Sequence, residues 1–204
     1  MRMTRAEGKE RNRRALLEAA RRIVARDGHR ARLEEIAEQA DLTTGAVYSL
    51  FGSKNGLLIA LVSEYLGPHY DGIEQAVPAG MGLVEAVEVF ARHYHRLCDD
   101  PDALRRLSFE ISLQDLALRD PELAPKFAAS VRAHEERLIA LLSGRSHDGA
   151  AVTPRQAQRL ATALRALMIG LSQGILLGLA DAAPEQYFAA AARALVSPDV
   201  LGPP

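Results

Sequence analysis

The chain of 204 residues has no tryptophan, a single cysteine and only 5% aromatic residues. With Cys98 alone no disulfide can close within the chain, which fits a reducing, cytoplasmic setting. Val and Ile do not cluster into alternating runs, so a β-sandwich or barrel is not expected. No apolar run reaches the roughly twenty residues a bilayer span requires. The nearest, residues 166–180, is interrupted by Gly170, Ser172, Gln173, Gly174 and Gly178, so no membrane partner is expected. The opening MRMTRAEGKERNRR is basic but lacks the apolar centre of a signal peptide. Catalytic signatures are missing too. No Gly-rich phosphate loop follows a strand, and no Glu-x-x-His pairs occur on matched helices. His134-Glu135-Glu136 opens like a zinc-protease helix, but Leu138 stands where the second His belongs. Of His93, His95 and Cys98, only His95 and Cys98 are spaced to share a helix face, and one donor pair does not make a metal site. Neither enzymatic activity, nor a cofactor, nor a metal is expected.

What the chain does have is 48% hydrophobic residues, dominated by Ala and Leu, enough for a sizeable all-helical core. A sheet would be a surprise. The net charge of −1 conceals an asymmetry. Residues 1–55 hold 12 basic against 8 acidic side chains, and the remainder 13 against 18. A cationic end on an acidic body suits a protein that must neutralise phosphates.

The densest signal is Leu33 to Leu58, LEEIAEQADLTTGAVYSLFGSKNGLL. Leu33, Ile36, Ala37 and Ala40 follow the helical period, with Glu34, Glu35 and Glu38 on the wet face. Asp41 tolerates a left-handed backbone, so the chain can turn there and bury Leu42. Thr43 or Thr44 can cap a second short helix whose apolar set is Ala46, Val47, Leu50 and Phe51. This is a helix-turn-helix layout. A recognition helix sets its N-terminal residues against base edges, and here these are Thr43, Thr44, Gly45 and Ala46, all small. Tyr48 adds a ring with a hydroxyl. Lys54 sits where Ser53 would cap a helix whose N-terminus already attracts phosphate.

EEIAEQADLTT followed by GAVYSLFGSKNGLL resembles the DNA-binding domain of the TetR family of transcriptional regulators, closely over the first third of the chain and in helix layout beyond. The resemblance implies DNA contacts from Thr43 to Ala46, Tyr48 and Lys54. Two departures stand out: Asp41 replaces the usual elbow glycine, and Ala31-Arg32 replaces the usual Ser or Thr cap. The connection from Gly28 to Ile36 is also one residue shorter than usual. Arg32 is a further candidate for a phosphate.

The rest reads as helices. One covers residues 9–27 and ends at Gly28, and another starts at Ser53 with a stripe of Leu57, Leu58, Leu61, Val62, Tyr65 and Leu66 that stops at Gly67-Pro68. Gly67 to Gly82 is the expected hinge. Further helices are expected over 83–99, 101–118, 121–142, 154–180 and 184–196, several with Pro in the first turn, with a loop at 143–153 and a frayed tail from Ser197. The domains are drawn as 1–55, a three-helix DNA-binding unit, and 56–204, a helical effector-binding and dimerisation unit.

The segment LATALRALMIGLSQGILLGLAD is apolar nearly all round and needs cover. The resemblance implies a homodimer through the last helices, with Leu164, Leu167, Gly170, Leu171, Gly174, Ile175 and Gly178 at the interface, the alternative being that these glycines line the monomer's own core. A small-molecule effector pocket is sought at His93, Tyr94, Cys98, Phe109, Gln114, Met168 and Gln173, polar or soft groups among apolar neighbours. The expected function is a TetR-like regulator released from a pseudo-palindromic double-stranded operator by an effector. An activator or architectural protein without an effector, or a regulator that binds a protein partner, stays open at this point.

Overall fold

The computed structural model describes residues 4–179 and 183–203. Among them the helices are α1 (Arg5–Asp27), α2 (Leu33–Gln39), α3 (Thr44–Phe51), α4 (Lys54–Ala76), α5 (Leu83–Cys98), α6 (Ala103–Arg119), α7 (Leu123–Leu142), α8 (Pro154–Leu176), α9 (Glu185–Ala194) and α10 (Pro198–Leu201), with strands β1 (Ser146–His147) and β2 (Ala150–Ala151) between α7 and α8. The fold is all-α. Two compact units make it up: Met1–Leu66 with Arg105–Val131, and Gly67–Leu104 with Arg132–Pro204.

In the first unit α1 starts earlier than its apolar pattern suggests, because Thr4 and Glu7 form a capping box. The Thr4 hydroxyl accepts from the Glu7 N–H at 3.2 Å, and the Glu7 carboxylate accepts from the Thr4 N–H at 2.7 Å. The inward face of α1 (Leu16, Leu17, Ala20, Ile23, Val24) meets Ile36 and Ala37 of α2, Val47 of α3, and Leu57 and Leu61 of α4 in one core. Phe109, Leu113 and Leu116 of α6 and Leu123 of α7 belong to that same core. The buried volume under the N-terminal helices is thus completed by side chains from the middle of the chain, outside residues 1–55.

In the second unit α5 packs against α8 and α9. Leu83, Val87 and Phe90 on α5, Leu160, Leu164 and Met168 on α8, and Phe188 on α9 are all buried. Around this core, Arg96 pairs with Glu185 at 2.9 Å and Arg193 with Glu88 at 3.2 Å, joining α5 to α9. Among the described residues the buried charged side chain is Arg145. Its guanidinium donates to the carbonyls of Leu141 (2.6 Å), Pro78 (3.0 Å), Met81 (2.9 Å) and Val77 (3.3 Å), so a buried cation ties the α4–α5 connection to the end of α7. Burial pulls its pKa down from the ordinary arginine value.

Four expectations are corrected here. Helix α4 does not stop at Gly67-Pro68 but runs to Ala76. Proline in a helix interior forfeits one hydrogen bond and costs about 3 kcal/mol. The turns beyond it are held by burial of Ile73 and Val77 and by Arg137 of α7, which reaches Asp71 at 2.6 Å and Glu74 at 2.7 Å. Residues 143–153 are not a plain loop, since Asp148 (φ 48) and Gly149 (φ 80) turn a minimal hairpin between β1 and β2. The tail is ordered rather than frayed: Ser197 caps α10, Leu201 is buried, and Arg159 of α8 donates to the carbonyls of Val200 (2.7 Å) and Asp199 (3.0 Å). Finally, α8 ends at Leu176, not at residue 180. Ala180 lies outside the described residues, as do the side chains of Tyr65 and Leu66.

The shared core makes a prediction. Phe109, only 2% exposed, should cost about 3–5 kcal/mol on truncation to Ala, the usual range for a buried Phe. Leu118 on the same helix is 86% exposed, and its truncation should stay within about 0.5 kcal/mol. Urea unfolding followed by circular dichroism separates the two, and equal midpoints would refute the core assignment of α6.

Candidate nucleic-acid interface

Helix α2 ends in a tight reversal that follows from one residue. Asp41 takes φ 53, its N–H reaches the Glu38 carbonyl at 3.0 Å, and the Leu42 N–H reaches the Ala37 carbonyl at 2.9 Å. This pair of bonds is a Schellman closure, with aspartate at the left-handed position that glycine more often fills. Leu42 then packs against the core, and Thr43 in extended conformation caps α3, its hydroxyl accepting from the Ala46 N–H at 3.3 Å. Thr43, not Thr44, is therefore the cap.

Only Val47 of α3 is fully buried, while Leu50 and Phe51 lean on the core. Tyr48 points the other way, 56% exposed, and Thr43, Gly45 and Ser49 share its exposure. Thr44 and Ala46 are half-buried. The helix stands on the surface with a small polar N-terminal turn and one aromatic ring outward. Its C-terminal end is braced by Arg13 of α1, whose guanidinium lies 5.5 Å from the Phe51 ring centroid.

The step into α4 is equally specific. Gly52 takes φ 77 and returns its N–H to Tyr48 at 2.9 Å, and the Ser53 hydroxyl accepts from the Gly56 N–H at 2.9 Å. A Cβ on Gly56 would lie 2.0 Å from the Phe51 carbonyl oxygen, so α3 and α4 approach this closely only because residue 56 has no side chain. Lys54 is half-buried and donates to the Ala31 carbonyl at 2.8 Å, anchoring the entry to α2. An ammonium has three N–H donors, so this bond leaves two for an anion. Arg32, next to that carbonyl, is exposed at the N-cap position of α2 and makes no capping bond. Asn55 extends the network, donating to Asp120 at 3.0 Å, and Asp120 also accepts from the N–H groups of Glu122 (2.9 Å) and Leu123 (3.1 Å) at the head of α7. These donors, Asn55 first, hold the Asp120 carboxyl below its ordinary pKa. Gly56 and Asp120 were not singled out from the sequence, since a close backbone approach and a contact 65 positions away have no local signature.

The other site candidates separate. Phe109 and Gln114 belong to the first unit, where Phe109 is core. His93, Tyr94, Cys98, Met168 and Gln173 belong to the second. His93 is half-buried, and desolvation with nearby Arg96 lowers its pKa; its ring would meet a Cβ on Gly72 at 3.1 Å. Cys98 lies 3.5 Å from the Tyr94 carbonyl, and Met168 is buried. Among the interface candidates, Leu164 is 0% exposed and packs inside its own chain, which corrects its assignment to an intermolecular surface. Gly178, at φ 64, closes α8 in a second Schellman turn, with its N–H to Ile175 (3.0 Å) and that of Leu179 to Gly174 (2.8 Å), so its missing side chain serves helix termination. Gly170 is exposed with open space around it, and Leu167, Leu171, Gly174 and Ile175 are partly covered. Among the described residues no three metal-ligating side chains converge, and no single helix is long and apolar enough to cross a membrane.

A capped, outward-facing short helix set on a partner helix through a tight turn, on a three-helix platform, defines a helix-turn-helix DNA-binding protein. Residues 16–61 match the family model for bacterial regulatory proteins of the tetR family. Over that segment the chain carries a DNA-binding domain of the TetR type. It is 26% identical over 106 residues to the fatty acid metabolism regulator protein of Bacillus subtilis (strain 168), a match covering 51% of this chain and 55% of that protein. The chain thus matches about half the length of that curated relative. Two solved structures share the fold. A TetR-family member from Streptomyces coelicolor A3 aligns at TM-score 0.68 and 22% identity, over 91% of this chain and 98% of that one. The fatty acid degradation regulator FadR of Bacillus halodurans aligns at 0.61 and 18%, over 93% and 97%.

Two outcomes follow. Gly56→Ala forces the α3–α4 junction apart, so it should lower the unfolding midpoint and broaden the amide resonances of α3, whereas the same change at exposed Gly80, with open space around it, should do neither; a Gly56→Ala protein with wild-type stability would show that the junction yields freely. Because the folded Asp120 pKa is depressed, its contribution is present above the ordinary carboxyl value and lost as pH falls through the folded one. The stability gap between wild type and Asp120→Ala should therefore be widest near neutrality and close in acid, as read by thermal melts across pH.

Proposed function

We propose that the chain is a homodimeric repressor that reads a pseudo-palindromic operator through α3 and is released by a small molecule held in its C-terminal body. The observation that carries the DNA-reading half is the outward set Thr43, Gly45 and Tyr48 on a helix whose opposite face is locked in the core. Thr43 to Ala46 approach base edges, Tyr48 meets a base or phosphate, and Lys54 and Arg32 meet the backbone. Two half-sites one turn apart need two readers about 34 Å apart, hence a two-fold dimer. Support for the dimer surface comes from Leu177, Leu179 and Tyr187, all at least half exposed at the end of α8 and on α9, with Gly170, Leu167 and Leu171 on the same helix.

Release follows from linkage. A ligand that favours a conformation with its readers wrongly spaced weakens DNA binding by the same free energy with which DNA weakens ligand binding. The two relatives named for fatty acid regulation support an acyl-chain compound as the first effector class to try, since such a ligand needs the apolar helix-lined site of this body type.

The test is recovery of bound duplex from fragmented genomic DNA by purified protein at low and raised salt. A short inverted repeat that survives the higher salt is expected; diffuse, salt-labile binding would mark an architectural protein instead. On the recovered duplex, Tyr48→Ala should weaken binding roughly tenfold or more, the scale of one lost contact worth about 1–3 kcal/mol, with the dimer and its melting temperature unchanged. Acyl-chain affinity that is the same with and without the duplex would defeat the release mechanism.

A further inference from the structure

The first turns of α1 lie N-terminal to the core, which begins at Leu16. They carry Arg5, Lys9 and Arg13, four residues apart, a spacing that stacks side chains along one face of a helix. The inner end of this line is fixed, because Arg13 lies over Phe51 at the C-terminal end of α3. The line therefore leaves the body on the side of α1 that touches the recognition helix, with Lys9 about 6 Å and Arg5 about 12 Å further out at a rise of about 1.5 Å per residue. Both are exposed, and neither has an ion-pair or side-chain hydrogen-bond partner among the described residues.

Two acidic neighbours on α1 are committed elsewhere. Glu7 is held in the capping box, and Glu18 pairs with Arg22 at 2.7 Å. Glu10 shares an open groove with Arg13, Arg14, Ser63 and Glu64. The capping box makes these turns a rigid mount, so two unpaired cations are carried at set positions beside the reading helix. That arrangement fits a polyanion that extends past α3.

Resting on the reading of α3 as the DNA-recognition helix, we infer that Arg5 and Lys9 form a second contact with the DNA backbone, on the phosphates flanking the groove that α3 enters. The contact supplies affinity and register and carries no base information. Each phosphate it neutralises releases counterions and steepens the salt dependence of log K by about 0.9.

The experiment measures binding of full-length protein over a KCl series, on a duplex selected from a random pool and on a shuffled duplex of the same length. The double variant Arg5→Gln/Lys9→Gln, which keeps helix propensity, should show a slope shallower by about 2 per bound subunit. Its ratio of selected to shuffled affinity should stay unchanged, and Arg5→Lys should keep the wild-type slope. Arg11→Gln, about 160° around the helix from Lys9 and Arg13, should leave the slope alone and so controls for loss of general charge. A slope identical in wild type and double variant on both duplexes overturns the contact, whatever α3 does. Wild type that selects no sequence, yet has a slope that the double variant lowers, sinks the base-reading role of α3 and leaves the α1 contact standing. Binding to neither duplex overturns both.

Discussion

An eight-residue helix does not hold together alone in water, since the cost of nucleation exceeds what so few hydrogen bonds return. The reading surface of this protein is such a helix, and everything around α3 supplies what it lacks. Val47 gives it a buried anchor, Thr43 caps its start, Gly52 closes its end, and Arg13 covers Phe51. Because α3 contributes one face to the core and none of its own stability, its outward side is free of structural duty. Tyr48 and the small residues at its start can then be chosen for what they meet outside.

The platform beneath α3 is likewise incomplete without distant help. Side chains of α6 and α7 fill the core under α1, α2 and α4, and Asp120 at the α6–α7 junction accepts from Asn55, next to Lys54 at the head of α4. A displacement of α6 would reach the reading helix through packed side chains, which have few intermediate arrangements at interior density. The second unit uses polar ties for a comparable purpose. Arg145 satisfies four carbonyls at once, and Arg137 secures the far end of α4 through two carboxylates. The carboxylates that Arg137 meets are largely solvent-accessible, so each pair by itself is worth little. Arg145 is buried, so removing it would strand several backbone acceptors.

The helix-turn-helix was legible residue by residue because its signals are local. The elbow at Asp41, the cap at Thr43 or Thr44, which the structure gives to Thr43, and the two apolar sets each lie within four residues of what they control. Local rules failed where a distant contact outweighed them. Gly67-Pro68 reads as a stop, but burial of Ile73 and Val77 with the Arg137 pairs carries α4 through it. The tail reads as loose, but Arg159 and the buried Leu201 dock it on α8. Asp148-Gly149 was a turn signal set between segments too short to register as strands. Gly178 looked like one of a packing series, and its positive φ shows that it ends a helix.

By itself the sequence determined the all-helical class, the two-helix reading motif, its caps and the cationic bias of its first third, because period, capping and charge act over a few residues. Only the tertiary structure decided which side chains complete the core beneath α3, that Leu164 is interior, that Lys54 already holds the Ala31 carbonyl, and that Gly56 must lack a side chain. Those outcomes depend on pairs far apart in the chain meeting at van der Waals or hydrogen-bond distance. No local pattern records which distant partner arrives.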